Sequence, residues 1–193
     1  MAIDLKALVA KFRNVSDVET DHALFRTNVP SVAPQGYLNM LFKPASANTR
    51  ENVARRLQLP APLLEFFAQS NGARLFFDGI AIYGCWSEHQ MFDRTNPFGH
   101  MPFNIEGVNR EFAKATSTTH LLCIGSYNFD RSIVCIDRTA LGVTCFVGKD
   151  FTRKRRTWPS LDDWLVNEIK RVCALHDEFG NCLVDKKLLL PED

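Results

Sequence analysis

Apolar residues recur at helical spacing in several stretches of this chain and in short strand-like runs in others. Leu5, Leu8, Val9 and Phe12 give Met1–Arg13 the pattern of an amphipathic helix. Asn48 or Thr49 is expected to cap a second helix running to Leu57, with Arg50, Glu51, Arg55 and Arg56 on its wet face. Pro60 and Pro62 suit the first turn of a third, because no amide hydrogen is needed there. Its apolar face is Leu63, Leu64, Phe66 and Phe67, and Asn71-Gly72 reads as its stop. Near the other end, Leu161, Trp164, Leu165, Ile169 and Val172 form one stripe suited to cover a sheet. Asp162 and Asp163 in its first turn, and Lys170 and Arg171 in its last, match the helix dipole.

Between these helices the period shortens. Arg74–Phe77 and Ile80–Gly84 flank Asp78-Gly79, a hairpin signal. Residues 119–125, 131–137 and 142–147 are three apolar runs with short turns, which requires an antiparallel meander. Tyr37–Phe42 reads as a strand or short helix, and Asn104–Ala115 as a helix weakened by Gly107. The expected class is α+β: a single domain, mainly antiparallel sheet, with helices packed on one face. The expected organisation is an extension over residues 1–47 packed on the domain, the domain itself over 48–175, and a tail over 176–193 whose Leu188–Leu190 dock on the body. Residues 85–103 are a long aromatic-rich connection, too apolar in character for a disordered linker.

Two stretches carry a family resemblance. Leu59-Pro60, Phe66-Phe67, Asn71-Gly72 and Ile82-Tyr83-Gly84 succeed one another within Glu51–Gly84. LLCIGSY over Leu121–Tyr127 and DRSIVCID over Asp130–Asp137 look like paired central strands, and Trp158–Val172 like a closing helix. Together these resemble the SUKH superfamily, the Smi/Knr-like domains, over roughly residues 48–175. The chain departs from that pattern between the central strands. There Ser126-Tyr127-Asn128-Phe129-Asp130 replaces a turn often rich in Gly and Asp. The resemblance implies a protein-binding module. Many bacterial members look like immunity proteins that cover the active site of a toxin, often a nuclease. Relatives in the eukaryotic branch look like scaffolds or regulators of cell-wall synthesis and signalling, which is the alternative.

Composition narrows the class further. A chain of 193 residues with 46% apolar content can bury a full core. A net charge of +1 argues against nucleic acid as the default partner. No apolar stretch is long enough to span a bilayer, and the first residues lack the uninterrupted apolar core of a signal peptide, so the expected location is cytoplasmic. The six cysteines contain no C-x-x-C pair. Cys85 and His89, with His100 nearby, have a metal-like spacing, but the reading preferred is an ordinary thiol beside loop histidines, with no metal and no cofactor.

Catalytic signatures are sparse. G-x-S-x-G, H-E-x-x-H and the phosphate-binding P-loop are absent. Glu88-His89 has no identifiable third member, and Asp137-Arg138 reads as a hairpin corner. The expectation is therefore a non-enzyme. The sharpest charge feature is Lys149, Arg153, Lys154, Arg155 and Arg156. In a strand, Arg153 and Arg155 would face one way and Lys154 and Arg156 the other, which suits a protected sheet edge or a strip for an acidic partner. The contact surface expected for a protein partner is Trp86, Phe92, Tyr127, Phe129, Arg153, Arg155 and Arg156, since aromatics and arginine dominate interface energetics.

Overall fold

The structure, a computed structural model, describes residues 4–9, 12, 16–27, 37–86, 101–148 and 151–191. Among the described residues nine strands run β1 Ser16–Glu19, β2 Ala23–Thr27, β3 Asn39–Phe42, β4 Ala73–Leu75, β5 Ile80–Ile82, β6 Leu121–Tyr127, β7 Ser132–Asp137, β8 Val143–Phe146 and β9 Lys154–Trp158. Five helices accompany them among the described residues: α1 Leu5–Leu8, α2 Ala47–Leu57, α3 Ala61–Phe67, α4 Ile105–Ala115 and α5 Leu161–Ala174. A 3-10 turn follows at Lys186–Leu189.

The strands form one sheet in chain order, and every pair is antiparallel. This is an α+β domain, and the meander expected for the last strands extends through all nine. Residues before 48 are therefore more than an appendage. Met40 of β3 sits opposite Arg74 of β4, so the first three strands continue the sheet directly.

Local chemistry explains the helix boundaries. Ser46, rather than Asn48 or Thr49, caps α2, its Oγ accepting from the Thr49 amide at 3.1 Å. Gln58 closes that helix in the left-handed conformation, at φ 51°. Asn104 Oδ1 accepts from the Glu106 amide at 3.0 Å to open α4, and Ser160 Oγ from Asp163 at 3.1 Å to open α5. Asn71-Gly72 does not cap α3, which ends at Phe67. Gly72 instead lies at φ +88°, where a Cβ would stand 2.5 Å from the Ile82 carbonyl oxygen.

All five helices bury side chains in one main core with the inner residues of the sheet, from Leu5 of α1 to Val172 of α5. Trp164 of α5 lies over Gly125 of β6, where a Cβ would be 3.1 Å from the indole ring. A smaller cluster of Ala23, Phe25, Met40 and Phe42 occupies alternate positions of β2 and β3, while Leu24 and Leu41 turn to the main core. The tail docks only in part: Leu189 and Leu190 are buried, and Leu188 is exposed.

Two asparagine side chains complete the backbone pairing where strands diverge. Asn71 accepts from the Cys85 amide at 2.7 Å and donates to the Cys85 carbonyl at 2.8 Å. Asn109 of α4 does the same to Cys123, at 2.8 Å in each direction. A carboxamide carries the same donor and acceptor as a peptide group, so each one substitutes for a missing strand neighbour.

Candidate functional site: a cationic sheet edge

β9 is the last strand of the sheet, so one side of its backbone has no strand neighbour among the described residues. Its register with β8 slips between Cys145 and Phe146: Arg156 sits opposite Cys145 and Lys154 opposite Phe146, leaving Arg155 as the extra residue. A bulge re-aims the side chain it carries and breaks the simple alternation expected for the four basic residues. Arg155 turns back to Asp130 in the β6–β7 turn, with Nη2 2.8 Å from Oδ2. Arg153, Lys154 and Arg156 are exposed. Arg156 lies over the Trp158 ring, 5.7 Å from its centroid, a cation–π contact that orders the side chain on the surface. None of these three cations is ion-paired among the described residues.

The β6–β7 turn is fixed beside this edge. Asp130 Oδ1 accepts from the Ser132 amide at 2.8 Å, and Arg131 takes φ 63°, so a non-glycine residue supplies the left-handed step. The Asn128 amide donates to the Gly79 carbonyl at 3.2 Å. Phe129 is half-buried against Gly79, where a Cβ would come within 2.8 Å of the ring. One edge of the surface thus joins the start of β9 to two hairpin ends.

The expected contact residues separate on this framework. Arg153, Arg155 and Arg156 lie at the β9 edge, and Phe129 lies in the β6–β7 turn that Arg155 reaches through Asp130. Tyr127 does not: it is fully buried, its hydroxyl donating to Glu168 Oε2 at 2.9 Å. It ends β6 and points into the core on the α5 side, so its assignment to a contact surface is corrected. Trp86 is half-buried, and its indole N–H donates to the Pro102 carbonyl at 2.7 Å, away from β9 in the chain's pairing order. Phe92 lies outside the described residues, as do Glu88, His89 and His100. Sequence reasoning missed Asp130 as the anchor of Arg155, because their meeting across 25 residues depends on the register of β7, β8 and β9.

Elsewhere the titratable groups behave as structural parts. Burial pushes the Cys85 and Cys145 thiols up to about 12, so both remain protonated at neutral pH. Cys123 and Cys135 are buried free thiols facing each other across β6 and β7. Asp137 accepts from the Ala140 and Thr139 amides, which hold its carboxyl below the usual range, as befits a hairpin corner. Among the described residues no three His, Cys, Asp or Glu side chains gather as a metal site, and no helix is long and apolar enough to cross a membrane.

No family model and no curated protein matches this chain.

Proposed function

We propose that this protein is a non-catalytic protein-binding module whose contact surface is the β9 edge with the adjoining β6–β7 turn. The observation that carries the reading is a sheet edge without a strand neighbour among the described residues, bearing three exposed cations that are not ion-paired there, with Arg155 tied to the turn that holds half-buried Phe129. A strand edge offers backbone groups to an incoming chain, and arginine with an aromatic neighbour supplies the anchors. The charge selects a partner that is acidic where it meets the edge. The more specific form of the proposal follows the SUKH-like residues: an immunity-type protein that binds a bacterial toxin domain and blocks it sterically.

A tagged pull-down from the native host, with mass spectrometry of the stoichiometric partner, tests this reading. The expected result is an acidic-surfaced protein carrying a toxin domain. Its affinity should fall at least about tenfold in the Arg153→Glu, Arg156→Glu double variant, since rim charges are worth roughly 1 kcal/mol each and reversal adds repulsion. A partner that binds the double variant as tightly as the parent removes the β9 edge from consideration.

A further inference from the structure

A second cationic feature lies away from β9. A cleft of about 430 Å³ opens between the end of α2, α4 and the sheet end where β6 begins and β7 stops. Three arginines line it: Arg56, Arg110 and Arg138. Their situations differ. Arg56 is held by Glu106, with Nη2 2.9 Å from Oε2, so those two charges cancel. Arg138 faces carbonyls instead. Its Nη1 donates to the Thr119 and Leu121 oxygens, and no carboxylate pairs with it among the described residues. Its Nε is buried and has no acceptor. Arg110 is exposed and is likewise unpaired among the described residues.

Two guanidiniums without counter-charge therefore share one concave site, and one carries an orphaned donor. A buried donor without a partner calls for an acceptor, which an ordered water, an ion or a ligand group would supply. Burial also disfavours the charge on Arg138, and an anion placed beside it would offset that cost. The cleft is larger than a lone phosphate needs, and Phe112 and Leu121 add apolar lining to it. Its volume falls in the ordinary range for small-molecule sites.

We propose that this cleft binds a small organic phosphate, its dianion held by Arg110 and Arg138 and its apolar body lying on Phe112 and Leu121. Arg138 offers Nη2, the guanidinium nitrogen neither spent on the Thr119 and Leu121 carbonyls nor buried, and Arg110 a second cation, so two positive charges meet one dianion. The Arg56–Glu106 pair keeps the Glu106 carboxylate from repelling the ligand. The site is independent of the β9 edge and of any protein partner.

Isothermal titration with phenyl phosphate, beside inorganic phosphate, tests the proposal on the full chain. Saturable binding of phenyl phosphate is expected, tighter than that of inorganic phosphate. Arg110→Glu, at an exposed helix position, should weaken it by about tenfold or more, as loss of a charge-assisted contact does. Arg138→Lys, which keeps the charge and loses the guanidinium anchored on the Thr119 and Leu121 carbonyls, should weaken it as well, while the Arg153→Glu, Arg156→Glu variant should bind like the parent. Absence of saturable binding, equal affinity for the inorganic ion, or loss that follows the β9 charges in place of Arg110 overturns the proposal.

Discussion

Replacing Asn71 tests whether a side-chain amide really completes the sheet. Asn71 is 2% exposed and both of its polar atoms are spent on the Cys85 backbone, at 2.7 and 2.8 Å. In Asn71→Ala two bonds vanish, and a buried amide and a buried carbonyl lose their partners. Each stranded group costs about 1–3 kcal/mol, so the variant should lose roughly 2–5 kcal/mol in urea unfolding. That is a large part of the 5–15 kcal/mol typical of a domain. Asn71→Asp separates the two bonds. The new carboxylate can still accept from the Cys85 amide, but its second oxygen faces the Cys85 carbonyl and has no proton to give unless it is protonated. The folded state therefore raises its pKa above the unfolded value of about 3.9. Under linkage the favourable protonated contact is fully present below that unfolded value and is lost as pH rises through the folded one. The stability gap between the parent and Asn71→Asp should narrow as the pH is lowered toward about 4. A loss under about 1 kcal/mol in Asn71→Ala, or a gap that stays constant with pH, would refute the reasoning.

Two further variants probe other parts of the fold. Glu168 is 2% exposed and receives Arg171 at 2.7 Å and the Tyr127 hydroxyl at 2.9 Å, while Arg171 also donates to the Leu189 carbonyl at 2.7 Å. Arg171→Met strands a buried carboxylate and should cost about 3–5 kcal/mol, read as a lower urea midpoint, with faster proteolysis of the tail near Leu189. Asp137 has a lowered folded pKa, so its contribution is present above the unfolded value of about 3.9 and is lost as pH falls through the folded one. Asp137→Asn keeps a neutral acceptor for the turn amides, so its stability relative to the parent should rise as the pH drops below about 4; a difference independent of pH would deny Asp137 that role.

Much of the framework was legible because it rests on local rules. Pro60 and Pro62 start α3, Ser160 with Asp162 and Asp163 starts α5, and the apolar runs of β6, β7 and β8 sit within two residues of their expected limits. The corrections come where local rules compete. Asp78-Gly79 signals the hairpin after β4, yet the turn's positive φ angles fall on Phe76, Phe77 and Asp78, at 53°, 55° and 65°. The pairing of β4 with both β3 and β5, and the Phe76 amide donating to Asn39 Oδ1 at 3.1 Å, hold that conformation against its intrinsic cost. Tyr127 looked like a turn aromatic because its sequence neighbours are polar. It is buried because the register of β6 places it over Glu168 and Trp164, residues 41 and 37 positions away.

By itself the sequence determined the helical period of α2, α3, α4 and α5, the strand runs of β4 to β8 and the antiparallel pairing that short turns impose. These depend on neighbours a few positions apart, and the free energies of caps, turns and side-chain alternation act at that range. Tertiary structure alone decided which cations stay free. Arg155 and Arg156 are adjacent in sequence, and one bulge gives the first to Asp130 and leaves the second on the surface. It also brought Arg110 of α4 and Arg138 after β7 to one cleft, and matched two asparagines to backbone groups 14 residues away. Such meetings are fixed by sheet register and helix placement, which sum weak contacts over the whole chain, so no local stretch of sequence carries them.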